Sequence, residues 1–389
     1  MQAKHEREFF LKFDKSFNTS TFLKRHKFIN SFLILTFDIV CIISRKIFAS
    51  RTNSKKVIGI LSFHRLGDTV FTIPAVREIF NHYKDHKVII FSYPETKSIY
   101  ELEFPEENIV ALDKNGFRYG RRIASKKIKN FIKKHSPDQI FDITGTPASA
   151  SIIYNSRANV VVGMNIRFFK NLYTKFVPIR TKPHLMDRYM DIVTQVISVD
   201  HILNKYEFGI QIIQPCKIMI HPFAIRKAKE WNLNKFLNLA SELIKEYDLE
   251  MISPDGFLSK DEMNEINQLN IPLTITADIS SLIQKIREAS VFISNDSGPT
   301  YIASLLHKPT FTIYGPTNPT YSLPHGNGHR FVRYQIQCSP IVEQYCYTHA
   351  GINCLSYECM NQLSVEKVLI EVRSFLDELG LQKTKHHIL

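Results

Sequence analysis

A short polar turn after the first apolar run carries the best candidate for acid–base chemistry. The run Val57–Phe63 has the pattern of a strand buried on both faces, and Arg65-Leu66-Gly67-Asp68 follows it. Ligands of parallel α/β sheets bind beyond the carboxyl ends of strands, so a carboxylate here can act as a general base. Gly67 would let the backbone turn sharply, and the next helix N-terminus would stabilise ionised Asp68. The alternative is that Asp68 only caps that helix.

A second polar turn has the residue types of an anion site. The segment 294–300 lies between a buried strand and a short helix, with Ser297 suited to the N-cap and Pro299 to an early helical position. Gly298 lets a ligand approach the backbone N–H groups, and such a helix N-terminus binds phosphate. Asp296 would repel phosphate, so we expect it to contact a ribose or sugar hydroxyl. The alternative is a capped helix without a ligand.

Two further segments carry weaker signals. Lys229 follows a strand and a loop and precedes a helix, so its ammonium can reach a pyrophosphate as a point charge. A solvated lysine is the alternative. The segment Tyr314–Pro319, with Gly315 and Thr317, indicates by itself only a strand that ends in a turn.

Motifs of several other enzyme classes are absent from the sequence. No G-x-G-x-x-G follows a strand, and there is no P-loop, no G-x-S-x-G elbow and no H-E-x-x-H. No tight acidic pair would clearly hold a divalent cation. We therefore expect no cofactor and no metal, and the sequence does not support a dinucleotide oxidoreductase.

Four cysteines cluster near the C-terminus, at Cys338, Cys346, Cys354 and Cys359. Their spacing lacks the C-x-x-C pairs of common zinc sites. The N-terminal residues do not have the pattern of a cleaved secretory signal, so we expect the chain to lie in the cytoplasm, where thiols usually stay reduced. Reduced structural thiols are the favoured interpretation, with disulfides and zinc as alternatives.

Length and charge set the broad class. The 389 residues favour two domains plus an extension, and the net charge of +13 suggests an anionic partner. Phosphates or an acidic membrane surface rank ahead of nucleic acid, because no helix-turn-helix, zinc-finger or RNP-like pattern is present.

The first 55 residues differ from the rest. Lys24, Arg25 and Lys27 precede an apolar run, Phe28–Ile43, that is short for a membrane span and contains Asp38. We interpret the run as an amphipathic helix in the interface of an anionic membrane. The alternatives are a helix packed on the protein's own body and a true span.

Strands and helices alternate from residue 55 onward, which favours parallel α/β sheets. The predicted strands are Val57–Phe63, Lys87–Ser92, Asn108–Leu112, Asp138–Ile143, Asn159–Met164, Lys217–His221, Leu249–Ser253, Val291–Ser294 and Thr310–Tyr314. The predicted helices are Val70–Tyr83, Tyr119–His135, Asn234–Tyr247, Ile279–Ala289, Thr300–Leu306 and Val365–Leu379. Residues 184–204 would connect two domains, so the expected organisation is an extension over 1–55 and domains over 56–204 and 205–389.

Together these segments resemble glycosyltransferase family 9, the ADP-heptose:lipopolysaccharide heptosyltransferases. The resemblance is carried by Ile60–Val76, Lys229–Trp231, Val291–Thr320 and the cysteine region that ends in Cys359-Met360. Each motif is modest, and their order and spacing make the resemblance specific over residues 56–375.

The resemblance implies a GT-B fold, in which two Rossmann-like, doubly wound domains face each other across a cleft, here with the N-terminal extension added. It implies an inverting, metal-independent transfer in which Asp68 is the catalytic base. Lys229 would contact the donor diphosphate. The remaining residues it places at the donor are Asp296, Ser297, Gly298, Pro299, Tyr301, Gly315 and Thr317, and those on the acceptor side are Arg65 and Gly67.

Three residues depart from the family pattern near the donor. Tyr301 stands where the family commonly has histidine, Thr300 replaces a usual methionine, and Asn318 replaces the aspartate after Gly-Pro-Thr. The donor sugar and nucleotide therefore stay open.

The expected function is transfer of a heptose, from ADP-heptose, to a lipopolysaccharide core or related lipid-linked acceptor at the inner face of the inner membrane. Two alternatives remain. One is an enzyme of the same fold that uses a UDP- or GDP-sugar for another glycan. The other is a non-catalytic protein that binds a glycan or nucleotide.

Overall fold

The computed structural model of the chain contains two compact α/β units. One holds residues 57–181 and 185–198, and the other holds 182–184 and the chain from 207 onward. The residues that the structure describes are 57–118, 123–198, 207–346, 354 and 356–381, with 36, 39, 40, 42 and 43 of the N-terminal segment.

The first unit is built on a six-stranded sheet in which every neighbouring pair is parallel, in the order β3-β2-β1-β6-β7-β8. Its strands are β1 Val57–Ser62, β2 Lys87–Ser92, β3 Ile109–Ala111, β6 Gln139–Asp142, β7 Val160–Asn165 and β8 Lys175–Pro178, and a small antiparallel hairpin adds β4 Phe117–Arg118 and β5 Ile123–Ala124. The central strands are apolar and buried on both faces because helices cover the sheet.

Between residues 57 and 198, the described part of this unit contains five α-helices. They are α1 Leu66–His82, α2 Pro94–Tyr100, α3 Lys126–Lys134, α4 Pro147–Tyr154 and α5 Leu185–Val193. Helix α5 packs on α1, so the stretch predicted to be only a connection between domains contributes a helix to the first unit. Its buried face is formed by Leu185, Met186, Tyr189, Met190, Ile192 and Val193.

The second unit repeats the plan with a parallel sheet in the order β11-β10-β9-β12-β13-β14. Its strands are β9 Lys217–His221, β10 Asp248–Pro254, β11 Leu273–Thr276, β12 Val291–Asn295, β13 Thr310–Tyr314 and β14 His329–Arg333. Its helices are α6 Leu233–Leu243, α7 Lys260–Gln268, α8 Ile279–Arg287, α9 Gly298–Leu305, α10 Glu358–Asn361 and α11 Val365–Glu378.

Helix α1 starts earlier than predicted, and this changes two expectations. The prediction of Val70–Tyr83 followed the apolar periodicity, but a backbone hydrogen bond from Thr69 N to Arg65 O, 2.9 Å long, already closes the first turn. Pro74 therefore lies well inside the helix, where its ring removes one backbone donor. Gly67 is helical and has no left-handed φ, so the prediction that it makes the turn is wrong.

The basic segment predicted as one helix over 119–135 is also divided. Residues 123 and 124 pair with β4, and α3 begins only at Lys126. Ser125 sets this start because its hydroxyl accepts the N–H of Ile128 at 3.3 Å, as an N-cap does.

The predicted interfacial helix falls mostly outside the described residues. Where the segment is described it is helical, and the side chains of Ile39, Val40, Ile42 and Ile43 are 44–49% exposed. None of the helices in the described part of the chain has the length and apolar character needed to span a bilayer.

Candidate functional site

A buried carboxylate holds the polar turn after β12. Asp296 is 2% exposed, and it accepts hydrogen bonds from Lys229 Nζ at 2.5 Å, from Thr317 Oγ1 at 2.5 Å and from the Tyr301 hydroxyl. Three predicted donor-site residues from separate segments are thus brought together on one side chain. Both carboxylate oxygens of Asp296 thus have an internal role, and the expected contact of Asp296 with a ribose or sugar hydroxyl stays a prediction.

Lys229 favours the ionised form of the Asp296 carboxylate. Burial by itself would raise the pKa of Asp296, but the Lys229 ammonium and the three hydrogen bonds hold that pKa below its ordinary value. Burial and the charge of Asp296 raise the pKa of Tyr301 well above 10, so its hydroxyl stays a donor. The Lys229 side chain is 20% exposed and presents a positioned cation at this edge of the sheet.

The loop that carries Lys229 is anchored by an asparagine that the sequence analysis did not single out. Asn295 is fully buried, and its Oδ1 accepts the N–H of Trp231 at 3.0 Å while its Nδ2 donates to Pro222 O at 2.7 Å. Trp231 is itself buried and donates to Leu363 O at 2.9 Å. The sequence signal that could have identified Asn295 is its polar side chain at the end of a buried strand, directly before Asp296.

The N-terminus of α9 is formed as predicted but capped differently. Gly298 and Pro299 open the helix, and Ser297 occupies the N-cap position without a side-chain cap hydrogen bond. Its Oγ is buried and has no partner among the described residues. The prediction that Ser297 caps α9 with its side chain is therefore wrong, and that hydroxyl, next to the first N–H groups of α9, fits an incoming anion.

The turn after β13 supplies Thr317 to Asp296 and also packs against neighbouring side chains. A Cβ on Gly315 would lie 2.5 Å from Met360 Sδ, so a side chain at this position would require Met360 to shift. Asn318 lies at the position of a family aspartate. Its Nδ2 donates hydrogen bonds to the loop at 341–343, to Ile341 O at 2.9 Å and to Glu343 O at 3.2 Å.

The four clustered cysteines lie behind this turn. They line a cavity of about 100 Å³ whose wall also includes Ala228 and Gly315. All are free thiols, and the described side chains contain no group of three that is arranged to ligate a metal. Burial and the neighbouring thiols raise the pKa of Cys359 to about 11.

The acceptor-side candidates lie in the first unit, at the carboxyl end of β1. Asp68 is in the first turn of α1 and is partly buried, Gly67 is beside it in the same turn, and Arg65 is exposed at the N-cap. The N-terminal charge of the helix stabilises a carboxylate at this position. Asp68 is thus a partly exposed carboxylate at the N-terminus of α1.

His64 lies between β1 and α1, four residues before Asp68. His64 Nε2 is 2.9 Å from the carbonyl oxygen of Ile143, and its ring meets that of Tyr189 edge-on at 5.3 Å. Burial lowers the pKa of His64, the charge of Asp68 raises it, and Arg188 lowers it again, with the net shift downward.

Comparisons with known proteins agree on one family. The family model of glycosyltransferase family 9 (heptosyltransferase) matches residues 126–350, which is more than half of the chain. Lipooligosaccharide heptosyltransferase 2 of Campylobacter jejuni serotype O:2 is 26% identical over 331 residues, covering 80% of this chain and 95% of that protein.

Solved structures show the same fold. The ADP-heptose lps heptosyltransferase II of E. coli superposes with a TM-score of 0.63 at 17% identity, covering 84% of this chain and 99% of that one. E. coli heptosyltransferase WaaC, solved with ADP-2-deoxy-2-fluoro heptose, gives 0.59 at 15% identity, with coverages of 82% and 99%.

The two parallel six-stranded sheets are thus those of the GT-B heptosyltransferase structures. The family match spans most of the second unit and part of the first, including Lys229, Asp296 and Thr317. The chain is a glycosyltransferase, and it belongs to glycosyltransferase family 9, the heptosyltransferase family.

Proposed function

We propose that this glycosyltransferase moves a heptose from ADP-heptose to a lipopolysaccharide or lipooligosaccharide core acceptor, with inversion at the anomeric carbon and without a metal ion. The names of its relatives support the acceptor class. The E. coli relative solved with an ADP-heptose analogue supports the donor.

The observation that carries the proposal is the Lys229–Asp296 pair. When the sugar departs, negative charge develops on the leaving diphosphate, and catalysis requires a positive group already in position. Lys229 supplies that charge, since Asp296 fixes its ammonium beside the N-terminus of α9. The unpartnered Ser297 hydroxyl and the first N–H groups of α9 add donors for the same phosphates.

The base of the reaction is Asp68. Its carboxylate takes the proton of the acceptor hydroxyl as that oxygen forms its bond to the anomeric carbon. A single displacement of this kind inverts the configuration, because the nucleophile and the diphosphate lie on opposite faces of the sugar. Asp68 thus assists the formation of the new glycosidic bond, and Lys229 assists the breaking of the bond to the diphosphate.

The acceptor chemistry also suits the charge of the chain. Lipopolysaccharide cores are anionic, and the chain carries a net charge of +13. The exposed Ile39, Val40, Ile42 and Ile43, together with the basic residues around them, would hold the enzyme at the inner face of the inner membrane, where a lipid-linked acceptor is presented.

The function is tested with purified protein, a lipopolysaccharide precursor extract, and ADP-, UDP- and GDP-sugars including ADP-heptose, in the presence of EDTA. We expect transfer from ADP-heptose alone, with the product detected by mass spectrometry. Transfer only from a UDP- or GDP-sugar would replace the proposed donor. No transfer from any donor, with folded protein, would favour a binding protein.

Replacing Lys229 tests whether its ammonium stabilises the leaving diphosphate. We expect Lys229→Met to lower kcat/KM by about 100- to 1000-fold, because the developing phosphate charge loses its partner. ADP binding, followed by the fluorescence of Trp231, the single tryptophan of the chain, should weaken in parallel. Lys227→Met is the matched control, since Lys227 is an exposed neighbour that pairs with Glu230. Equal losses in both variants would contradict the assignment.

Replacing the base separates binding from chemistry. Asp68→Asn should lower kcat by about 100- to 10,000-fold, because proton transfer loses its acceptor. Donor affinity should stay at the wild-type value in the same fluorescence titration. The control is Asp85→Asn, an exposed aspartate of the same unit. A folded Asp68→Asn enzyme with the wild-type turnover would exclude Asp68 as the base.

Membrane attachment is tested by deleting residues 1–50. We expect the shortened protein to move from the membrane pellet to the supernatant on ultracentrifugation, because the apolar and basic segment is gone. A full-length variant with Ile39, Val40, Ile42 and Ile43 all replaced by serine should shift in the same direction. Identical partitioning of all three proteins would refute the anchor.

A further inference from the structure

We propose that the exposed face of helix α3 is a membrane-contact surface that binds the headgroups of anionic phospholipids. The inference goes beyond the proposed function, whose membrane contact lies in the first 55 residues. It does not depend on the donor, because a bilayer surface is recognised by charge and by apolar contact alone.

The sequence around α3 contains cations and no anions. Residues 114–137 include nine Lys and Arg residues and no Asp or Glu, so this stretch has a charge of +9, against +13 for the whole chain. Most of the excess positive charge is therefore concentrated in one short segment. Five of these nine cations belong to α3 itself, namely Lys126, Lys127, Lys129, Lys133 and Lys134.

The ammonium groups of these five lysines have no ion-pair or hydrogen-bond partner among the residues that the structure describes. Lysines elsewhere in the chain differ. Lys97 pairs with Glu106 at 2.6 Å, and Lys245 pairs with Glu242 at the same distance. The positive charge of α3 is thus left for an anion from outside the described residues.

The lysines of α3 oppose the formation of their own helix. Lys126 and Lys127 lie in the first turn, where the helix N-terminus is already partly positive. Lys129 and Lys133 are four residues apart, a spacing at which like charges repel. No acidic residue of α3 offsets these interactions. Binding to an anionic surface would relieve the repulsion, so the charge pattern suits a partner better than it suits the free helix.

The buried face of α3 determines which of its side chains point outward. Ile128 and Ile132 are 5% and 1% exposed, and they pack in the core of the first unit. Residues four apart lie on the same face of a helix, so these two isoleucines fix its orientation on the sheet. The lysines that are exposed as a result are Lys126, Lys127, Lys133 and Lys134.

An exposed phenylalanine between two of these lysines favours a bilayer as the partner. Phe131 is 41% exposed, and Lys127 and Lys134 lie one helical turn before and after it on the same side. At a membrane surface such a ring enters the boundary between headgroups and acyl chains, while the ammonium groups meet the phosphates. A single-stranded nucleic acid would be bound by several aromatic side chains in a row, and α3 contains only one.

The contact is tested first by binding of the full-length protein to vesicles made of equal parts of phosphatidylcholine and phosphatidylglycerol. We expect the double variant Lys127→Gln/Lys134→Gln to lose about 10- to 50-fold in affinity, because each lysine contributes near an anionic surface. The control Lys245→Gln/Lys260→Gln removes the same charge from exposed lysines of the second unit and should bind like the wild type. All variants keep residues 1–55. Equal losses in both variants would overturn the proposal.

Salt and lipid composition identify the anion. The difference between Lys127→Gln/Lys134→Gln and the wild type should disappear on vesicles of phosphatidylcholine alone and at about 1 M salt, where charges are screened within a few ångströms. A difference that persists in both conditions would contradict a headgroup contact. Weaker binding of the variant to a single-stranded DNA oligonucleotide, with unchanged binding to the acidic vesicles, would replace the bilayer by a nucleic acid.

A tryptophan at position 131 reports the contact directly in the folded protein. With the acidic vesicles we expect the emission of Phe131→Trp to shift to the blue and to be quenched by lipids brominated in their acyl chains. Trp231 is fully buried, so its emission is a constant background. Ile370→Trp is the matched control, since Ile370 is 61% exposed on α11, and its emission should not change. No shift at position 131, or the same shift at both positions, would overturn the proposal.

The two hypotheses fail separately, because vesicle binding requires neither donor nor turnover. A wild type without transfer from any donor would overturn the proposed function and leave the α3 surface standing. An active wild type whose α3 variants bind acidic vesicles as tightly as the control would overturn the α3 surface alone.

Discussion

A carboxylate removed from water must be surrounded by hydrogen-bond donors or cations, and this requirement organises the carboxyl edge of both sheets. Asp142 closes β6 and Asp296 follows β12, and both are buried. Each gathers donors from distant segments: Tyr173 reaches Asp142, and Lys229 reaches Asp296. These two acids hold the loops after β6 and β12 to neighbouring segments.

The two acids differ in their donors, and so in their pKa. Asp142 has only neutral donors, and burial raises its pKa to about 6 despite them. Asp296 has the Lys229 ammonium, which keeps its pKa below the ordinary value. Attraction between opposite charges grows as water is excluded, so the buried Asp296 fixes its cation firmly. A diphosphate needs such a cation, whereas the neutral-donor network of Asp142 is suited to fixing a loop.

The sequence predicted the interior of both sheets well and their edges poorly. The bounds of β2, β9 and β13 agree with the prediction, because central parallel strands are continuous apolar runs. The strands missed in the two six-stranded sheets, β8, β11 and β14, all lie at sheet edges, where half-exposed strands carry polar residues and lose that pattern. The predicted start of α1 was too late for a related reason, since its first turn contains Gly67 and Asp68 and lacks a continuous apolar pattern.

The sequence by itself determined the class of fold and the family, because these depend on local runs of residue types and on their order. Only the tertiary structure decided what each side chain does there. Asp296 became a buried partner of Lys229, and Gly315 lies against the Met360 side chain. The His64 imidazole became bonded to the carbonyl oxygen of Ile143. Such roles depend on contacts between segments far apart in the chain, which no local pattern records.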